Sequence, residues 1–359
     1  MDPNGSTARR FPLIARFRPA CLPLPDRVRS VTELAARAME QRDQGLASTV
    51  FNQTALIASD LGLPELARAM CHRHAAAYLN ACPLPAMGAI RALEPLVNLA
   101  RLQIRAGRTD EGRQRLLDLY EAVGSATAVS FEGITVPADL TDTEDDRQEV
   151  RAWLWRVVLA DGTRSLTTTG RWFEALAHIE RHKGVGTRML DGRQVAVIAA
   201  LTSGQIGRAD ELLAATAPRE RWEQAVSACL KTLCRRETGQ PVDDSLTNMY
   251  LNHEAKAGMT VFDIRLGLTV LDAVGSAEHP AARLHIDELV RRTTEARNGY
   301  AARELLGHPL FSTLAGDTQR HGCEKLLRGC ALDTGELPEV LGRSLTTALD
   351  TSETVLSRS

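Results

Sequence analysis

The sequence predicts an all-α protein built of stacked antiparallel helix pairs, and three observations predict it. Ala, Leu and Arg are abundant while aromatic residues make up only 4%, a balance that favours helices and close contacts between small residues over cores of large rings. From residue 31 onward apolar residues recur at helical spacing, and short glycine-containing turns interrupt them. The turn glycines Gly170, Gly204 and Gly239 stand 34 and 35 residues apart. That is the period of a two-helix repeat in which neither helix pair buries its apolar face alone and stacking supplies the missing core.

Residues 1–30 hold Pro3, Pro12, Pro19, Pro23 and Pro25 among arginines, which predicts an extended arm. The arm reads either as a loosely ordered leader or an end cap over the first helices, or as a basic tether for a partner. Residues 31–240 form the repeats. "VTELAARAME" puts Val31, Leu34, Ala35 and Ala38 on one face, with Thr32 as a cap. "STVFNQTALIASDLG" and "PELARAMCHRHAAAYL" form the first hairpin, Pro64 standing where a first turn accepts proline. In "NLARLQIRAGRTDEGRQRLLDLY" Gly107 ends one helix and Thr109 or Asp110 caps the next. Further hairpins turn at Gly170, Gly204 and, more weakly, Gly239.

The spacings from Gly62 to Gly107 and from Gly107 to Gly170 are 45 and 63 residues, so segments are inserted. The larger insertion, 124–146, alternates Val129, Phe131, Ile134 and Val136 around "EG" and reads as a small hairpin or ordered loop, either a connector or a lid. Its "DLTDTEDD" offers Asp or Thr caps to the next helix. Residues 241–359 still read as helices, but the period fades, as expected of degenerate repeats and a C-terminal cap that hides the last apolar surface.

A formal net charge of −2 gives no global reason for binding nucleic acid or an anionic membrane. Lys183, Lys231, Lys256 and Lys325 are the only lysines, an arginine bias that reads as a high-GC, actinobacterial genome. The seven cysteines are odd in number, lack a CxxC and sit in helical patterns, as buried thiols of a reducing compartment do. No apolar run reaches the roughly 18 residues of a membrane span, and "FPLIARF" is too short for a signal-peptide core, so a cytoplasmic protein is expected.

His178 and His182 lie one helical turn apart, a spacing that suits a shared metal, yet no HExxH or paired-cysteine pattern supplies further ligands. Cys71 and His74 suggest a thiolate–imidazole pair with no third orienting group, and "GVG" at 184–186 lacks a preceding strand. No metal, cofactor or catalytic set is therefore expected.

The repeats resemble tetratricopeptide repeats (TPR), in Asn98, Leu99, Ala100, Gly107, Glu111 and Gly112, in Gly170, Glu174, Ala175 and Ala177, and in Ala55, Gly62 and Ala67. Small residues seven before and five after the turn glycine let paired helices touch, as Ala55 with Ala67 and Ala100 with Gly112. Val197 with Ala209 and Thr163 with Ala175 fit with a larger first member, and the aromatic anchor of the first helix is mostly missing. The resemblance, over 47–216, implies an α-solenoid whose first helices line a groove, and it places Asn52, Asp60, Arg101, Arg105, Arg164 and Gln194 there. Arginines in such a groove can grip a carboxylate or phosphate bidentately, and asparagine can hold a peptide backbone. The alternative is a solvated face with internal Asp–Arg pairs.

The reading that follows is a non-catalytic interaction module that binds a peptide, a protein terminus or a small acidic ligand. Two others stand beside it: a regulatory or sensor protein of a bacterial control system, and a subunit of a specialised-metabolism enzyme on a helical scaffold. No helix-turn-helix precedes the repeats, so direct DNA binding is not expected.

Overall fold

In a computed structural model, which describes residues 1–240 and 245–357, the chain is helical apart from one β-hairpin and its connecting segments. The expected boundary at 240/241 falls against the stretch 241–244, outside the described residues. In order, the elements are α1 (Ser6–Arg10), α2 (Leu24–Gln41), α3 (Gln44–Asp60), α4 (Pro64–Leu79), α5 (Ala86–Arg105), α6 (Thr109–Ser125), β1 (Val129–Phe131), β2 (Ile134–Val136) and α7 (Glu144–Val157). A π-helical turn, Val158–Gly162, leads into α8 (Thr163–Thr167). Then follow α9 (Trp172–Arg181), α10 (Asp191–Thr202), α11 (Ile206–Ala214), α12 (Arg221–Glu237), α13 (Ser245–Leu251), α14 (Thr260–Val274), α15 (Pro280–Glu295), α16 (Gly299–Leu306), α17 (Pro309–Leu314), α18 (Asp317–Gly329) and α19 (Glu339–Leu356).

The chain divides into two compact units that interleave in sequence. A hairpin unit comprises Leu24–Ser165 and the segment from Ala331, and an arm unit comprises Met1–Pro23 and Leu166–Cys330. This cuts across the division expected from the sequence. The segment expected to cap the repeats parts at Cys330, and α19 packs on α2 and α3 instead of continuing the preceding helices. Leu345, Ala348, Leu349, Val355 and Leu356 enter one apolar cluster with Val31, Leu34, Ala47 and Phe51, covering a face that the first helices cannot bury between themselves. The hairpin expected at Gly170 is likewise divided, at Ser165/Leu166.

Within the hairpin unit, α3 packs on α4 and α5 on α6, as expected of the first two hairpins. Gly62 and Gly107 close the turns with φ of +78° and +83°, where a side chain would be strained. Ala67 and Ala100 are fully buried where the paired helices meet. Against α5 the approach is closer still, since a Cβ on Gly112 would lie 2.6 Å from the Ala100 carbonyl oxygen.

Several local expectations change. Residues 24–30 are helical because Pro25 falls in the first turn of α2, where its missing N–H costs nothing, so the extended arm ends at Pro23. Thr32 is inside α2 and donates to the Val28 carbonyl, 3.0 Å away, instead of capping. Neither Thr109 nor Asp110 caps α6, whose N-cap is Arg108, whereas Thr143 caps α7 through the Asp146 N–H. The insertion is a hairpin, Val129 paired with Val136 and Phe131 with Ile134, turning through Glu132 and Gly133 with positive φ. It packs against α4 and α6, and Arg68 Nη1 donates to both Glu132 oxygens at 2.6 Å while Gln103 Nε2 donates at 2.8 Å. Glu132 thereby pins the hairpin to α4 and α5.

Two stability outcomes follow from this packing. Gly112→Ala gains helix propensity yet drives a methyl into backbone, so a net loss of about 1–2 kcal/mol is expected from urea unfolding; a more stable variant would show the helices do not touch there. Asp60 (7% exposed) pairs with Arg27 (7%) at 2.6 Å, tying α3 to α2. Asp60→Ala is expected to cost about 3 kcal/mol by stranding a buried guanidinium, and Asp60→Leu with Arg27→Met less than the single change.

Candidate functional site

Two stripes of polar side chains face each other across α3 and α5, which pack together within the hairpin unit. On α3 the stripe is Ser48, Asn52, Ser59 and Asp60; on α5 it is Glu94, Asn98, Arg101 and Arg105, spaced by about one helical turn so that all four project from one side. The opposite sides of both helices carry the apolar residues that pack on α4 and α6, among them Ala55, Ala58, Leu93, Leu96 and Ala100.

Hydrogen bonds join the stripes into a ladder. Asn52 Nδ2 donates to Glu94 Oε2 at 2.6 Å, and Asn98 Nδ2 donates to Asn52 Oδ1 at 2.9 Å. Arg101 Nη1 donates to Asn98 Oδ1 at 3.0 Å, and its Nε and Nη2 reach Asp161 Oδ2 at 3.1 and 2.7 Å. Arg105 donates to Ser59 Oγ and lies 3.9 Å from Asp60. Asp161 sits in the π-helical turn after α7, an irregularity frequent at functional positions. The ladder thus runs from α3 across α5 to that turn. Its outermost groups, Arg101 and Arg105, keep 45% and 44% of their side-chain surface exposed.

The inner end is sealed. Ser48 Oγ lies 2.9 Å from His74 Nε2 and donates to Glu94 at 3.4 Å. His74 is 1% exposed and stacks on Phe51, and burial pulls its imidazole down to about 3, so it is neutral. The chain Glu94–Ser48–His74 has the residue types of a nucleophilic set, but Ser48 is 2% exposed and the group acts as a satisfied core contact. Burial raises the Glu94 carboxyl above its ordinary range, and the bonds from Asn52 and Ser48 and the charge of Arg91 oppose the shift.

Of the six residues expected to line a groove, Asn52, Asp60, Arg101 and Arg105 belong to this one connected set. Asp60 contributes from beneath, buried with Arg27. Arg164 is exposed on α8 in the same unit, three residues beyond Asp161. Gln194 corrects the expectation. It is fully buried in the arm unit, where its Oε1 accepts from the Leu13 N–H at 2.6 Å and its Nε2 donates to the Leu13 carbonyl at 2.8 Å. It does hold a peptide backbone, but that of the chain's own arm.

Other contacts fix the same arm. Arg10 pairs with Asp272 and donates to Thr269 Oγ1 at 3.3 Å, burial pulling its guanidinium down to about 10, and Arg16 pairs with Asp191 at 2.8 Å. Ala8, Phe11 and Leu13 are buried, so the arm is a structural part of its unit and not a loose tether. Glu94, Asn98, Ser48 and Asp161 complete the connected set beyond the six residues expected from the sequence. The four-residue polar stripe Glu94, Asn98, Arg101 and Arg105 was the signal for the first two, whereas Asp161 depends on the π-helical turn.

The rings of His178 and His182 meet at a tilt of 59° with centroids 4.9 Å apart, and among the described residues no group of three His, Cys, Asp or Glu side chains is arranged to hold a metal. Cys71 lies in the hairpin core, where burial pushes its thiol up to about 12. Among the described residues no helix is long and apolar enough to cross a membrane. No protein-family model matches the chain, and comparison with curated proteins and with solved structures likewise finds no match.

The raised Glu94 carboxyl has a measurable sign. Its folded form favours the proton, so its contribution is fully present at acid pH and is lost as pH rises through the raised value. Glu94→Gln keeps an acceptor for Asn52, and it is expected to raise the urea midpoint at neutral pH and leave it nearly unchanged in acid; the reverse order would show that Glu94 is stabilised as the anion.

Proposed function

We propose that the chain is a non-catalytic binding module whose helix pairs are TPR-like repeats of an α-solenoid. In this reading α3 and α5 are first helices, and their polar ladder is the floor of a groove that takes an acidic peptide segment or a protein's terminal carboxylate. The observation that carries the reading is the pair Arg101 and Arg105: one turn apart on α5, held by Asn98, Asp161 and Ser59, with nearly half of each side chain exposed. Such preorganisation reduces the ordering cost that weakens binding by surface arginines. A ligand carboxylate would share Arg101 with Asp161, so affinity rests on many modest contacts along an extended segment.

The test uses an array of short peptides bearing Asp, Glu or a free terminal carboxylate, probed with the wild-type chain and with the double variant Arg101→Ala, Arg105→Ala. Both side chains are half-exposed, so the variant is expected to keep its circular dichroism and urea midpoint while losing tenfold or more in affinity for the peptides the wild type binds, on the order of 1.4 kcal/mol. Unchanged affinity removes the ladder as the site, and an array without binders removes the acidic ligand.

A further inference from the structure

All seven cysteines are thiols. Five of them are held protonated by burial, which pushes Cys71 and Cys229 up to about 12, Cys323 up to about 11, and Cys82 and Cys234 in the same direction. The remaining two come together. Cys21, near the end of the arm, and Cys330, immediately after α18, are both fully buried in the arm unit. The Cys330 thiol donates to the Cys21 carbonyl oxygen at 2.9 Å across 309 residues of sequence. A Cβ built on Gly299 would stand 2.7 Å from Cys330 Sγ and 3.3 Å from Cys21 Sγ, so the two sulfurs flank one point and their separation cannot exceed the sum of those reaches.

The surroundings hold this arrangement in place. Gly299 opens α16, and its N–H donates to the same Cys21 carbonyl at 2.7 Å, so the arm's backbone is gripped by a helix start and a thiol at once. The first turn of α16 lies against both sulfurs, in space that a side chain on Gly299 would take. Each cysteine also stands within three residues of a point where the chain passes from one unit to the other.

We propose that Cys21 and Cys330 are a redox pair: when the end of the arm opens locally, as two fully buried thiols require, a low-molecular-weight disulfide such as oxidised glutathione converts them into a bond that staples the arm to the end of α18. One thiol gives its proton to water, and its thiolate attacks a sulfur of the small disulfide, expelling one small thiolate and leaving a mixed disulfide on the protein. The second cysteine, deprotonated in turn, attacks the protein sulfur of that mixed disulfide and expels the other small thiolate. The protein loses two electrons and two protons; the oxidant gains the electrons and leaves as two small thiols. The sulfurs of a disulfide stand roughly 2 Å apart, so the bond draws the two side chains closer than they stand as thiols.

The test incubates the full-length chain, natively folded, with oxidised glutathione, then unfolds it in alkylating agent and maps the non-reduced digest by mass spectrometry. The expected product joins the Cys21 and Cys330 peptides, leaves the other five cysteines alkylated, disappears on adding reductant, and is absent from Cys21→Ser and from Cys330→Ser. The oxidised wild-type chain is expected to unfold at higher urea than the reduced one, because the bond closes a long loop in the unfolded chain. Recovery of Cys21 and Cys330 as separate alkylated or glutathione-bearing peptides, their pairing with other cysteines, or a cross-link that leaves the urea midpoint unchanged overturns the proposal.

Discussion

Helix pairs that touch at small residues are the constraint on which the hairpin unit depends. Where Gly112 meets the Ala100 carbonyl there is no room for a methyl group, and buried Ala67 plays the corresponding part in the pair before it. Contact at that distance fixes how α5 is rotated about its own axis. Once Leu93, Leu96 and Ala100 are turned inward, Glu94, Asn98, Arg101 and Arg105 have to emerge on the other side. The polar ladder is thus a geometrical result of the apolar packing, and its exposed arginines inherit the rigidity of the helix that bears them.

Polar groups in both units are satisfied mainly by one another. Asp60 is used by Arg27, Asp161 by Arg101, Gln194 by Leu13, and Asp272 by Arg10, Thr7 and His308. The internal Asp–Arg pairs that the sequence left as an alternative are therefore present, yet they leave Arg101 and Arg105 half in solvent. An ionic group can be structurally engaged and still meet a ligand when its remaining donors point outward, and arginine with its five N–H groups is the side chain best suited to that double use.

Helix positions and pairing were legible because they depend on local signals: apolar spacing, turn glycines and small residues at fixed offsets. Gly62 and Gly107 have the positive φ expected of them, and the alternation around "EG" is a real hairpin. What could not be read depends on contacts across long stretches of sequence. Nothing near Gln194 announces that Leu13 will lie against it, and nothing in "EVLGRSLTTALD" announces α2 and α3 as its neighbours. The ladder was half legible for the same reason: stripes on one helix can be counted, whereas Asp161 reaches Arg101 only through an irregular turn 60 residues away.

The interleaving of the two units carries a consequence for how the protein is made. On the ribosome the residues of the arm unit are complete once Cys330 has emerged, but the hairpin unit still lacks α19. Until that helix leaves the exit tunnel, the apolar side of α2 and α3 is uncovered in an otherwise assembled nascent chain, an obvious place for a chaperone to dwell. A chain stopped between 331 and 339 would therefore lack the helix that covers α2 and α3 and leave their apolar face in water.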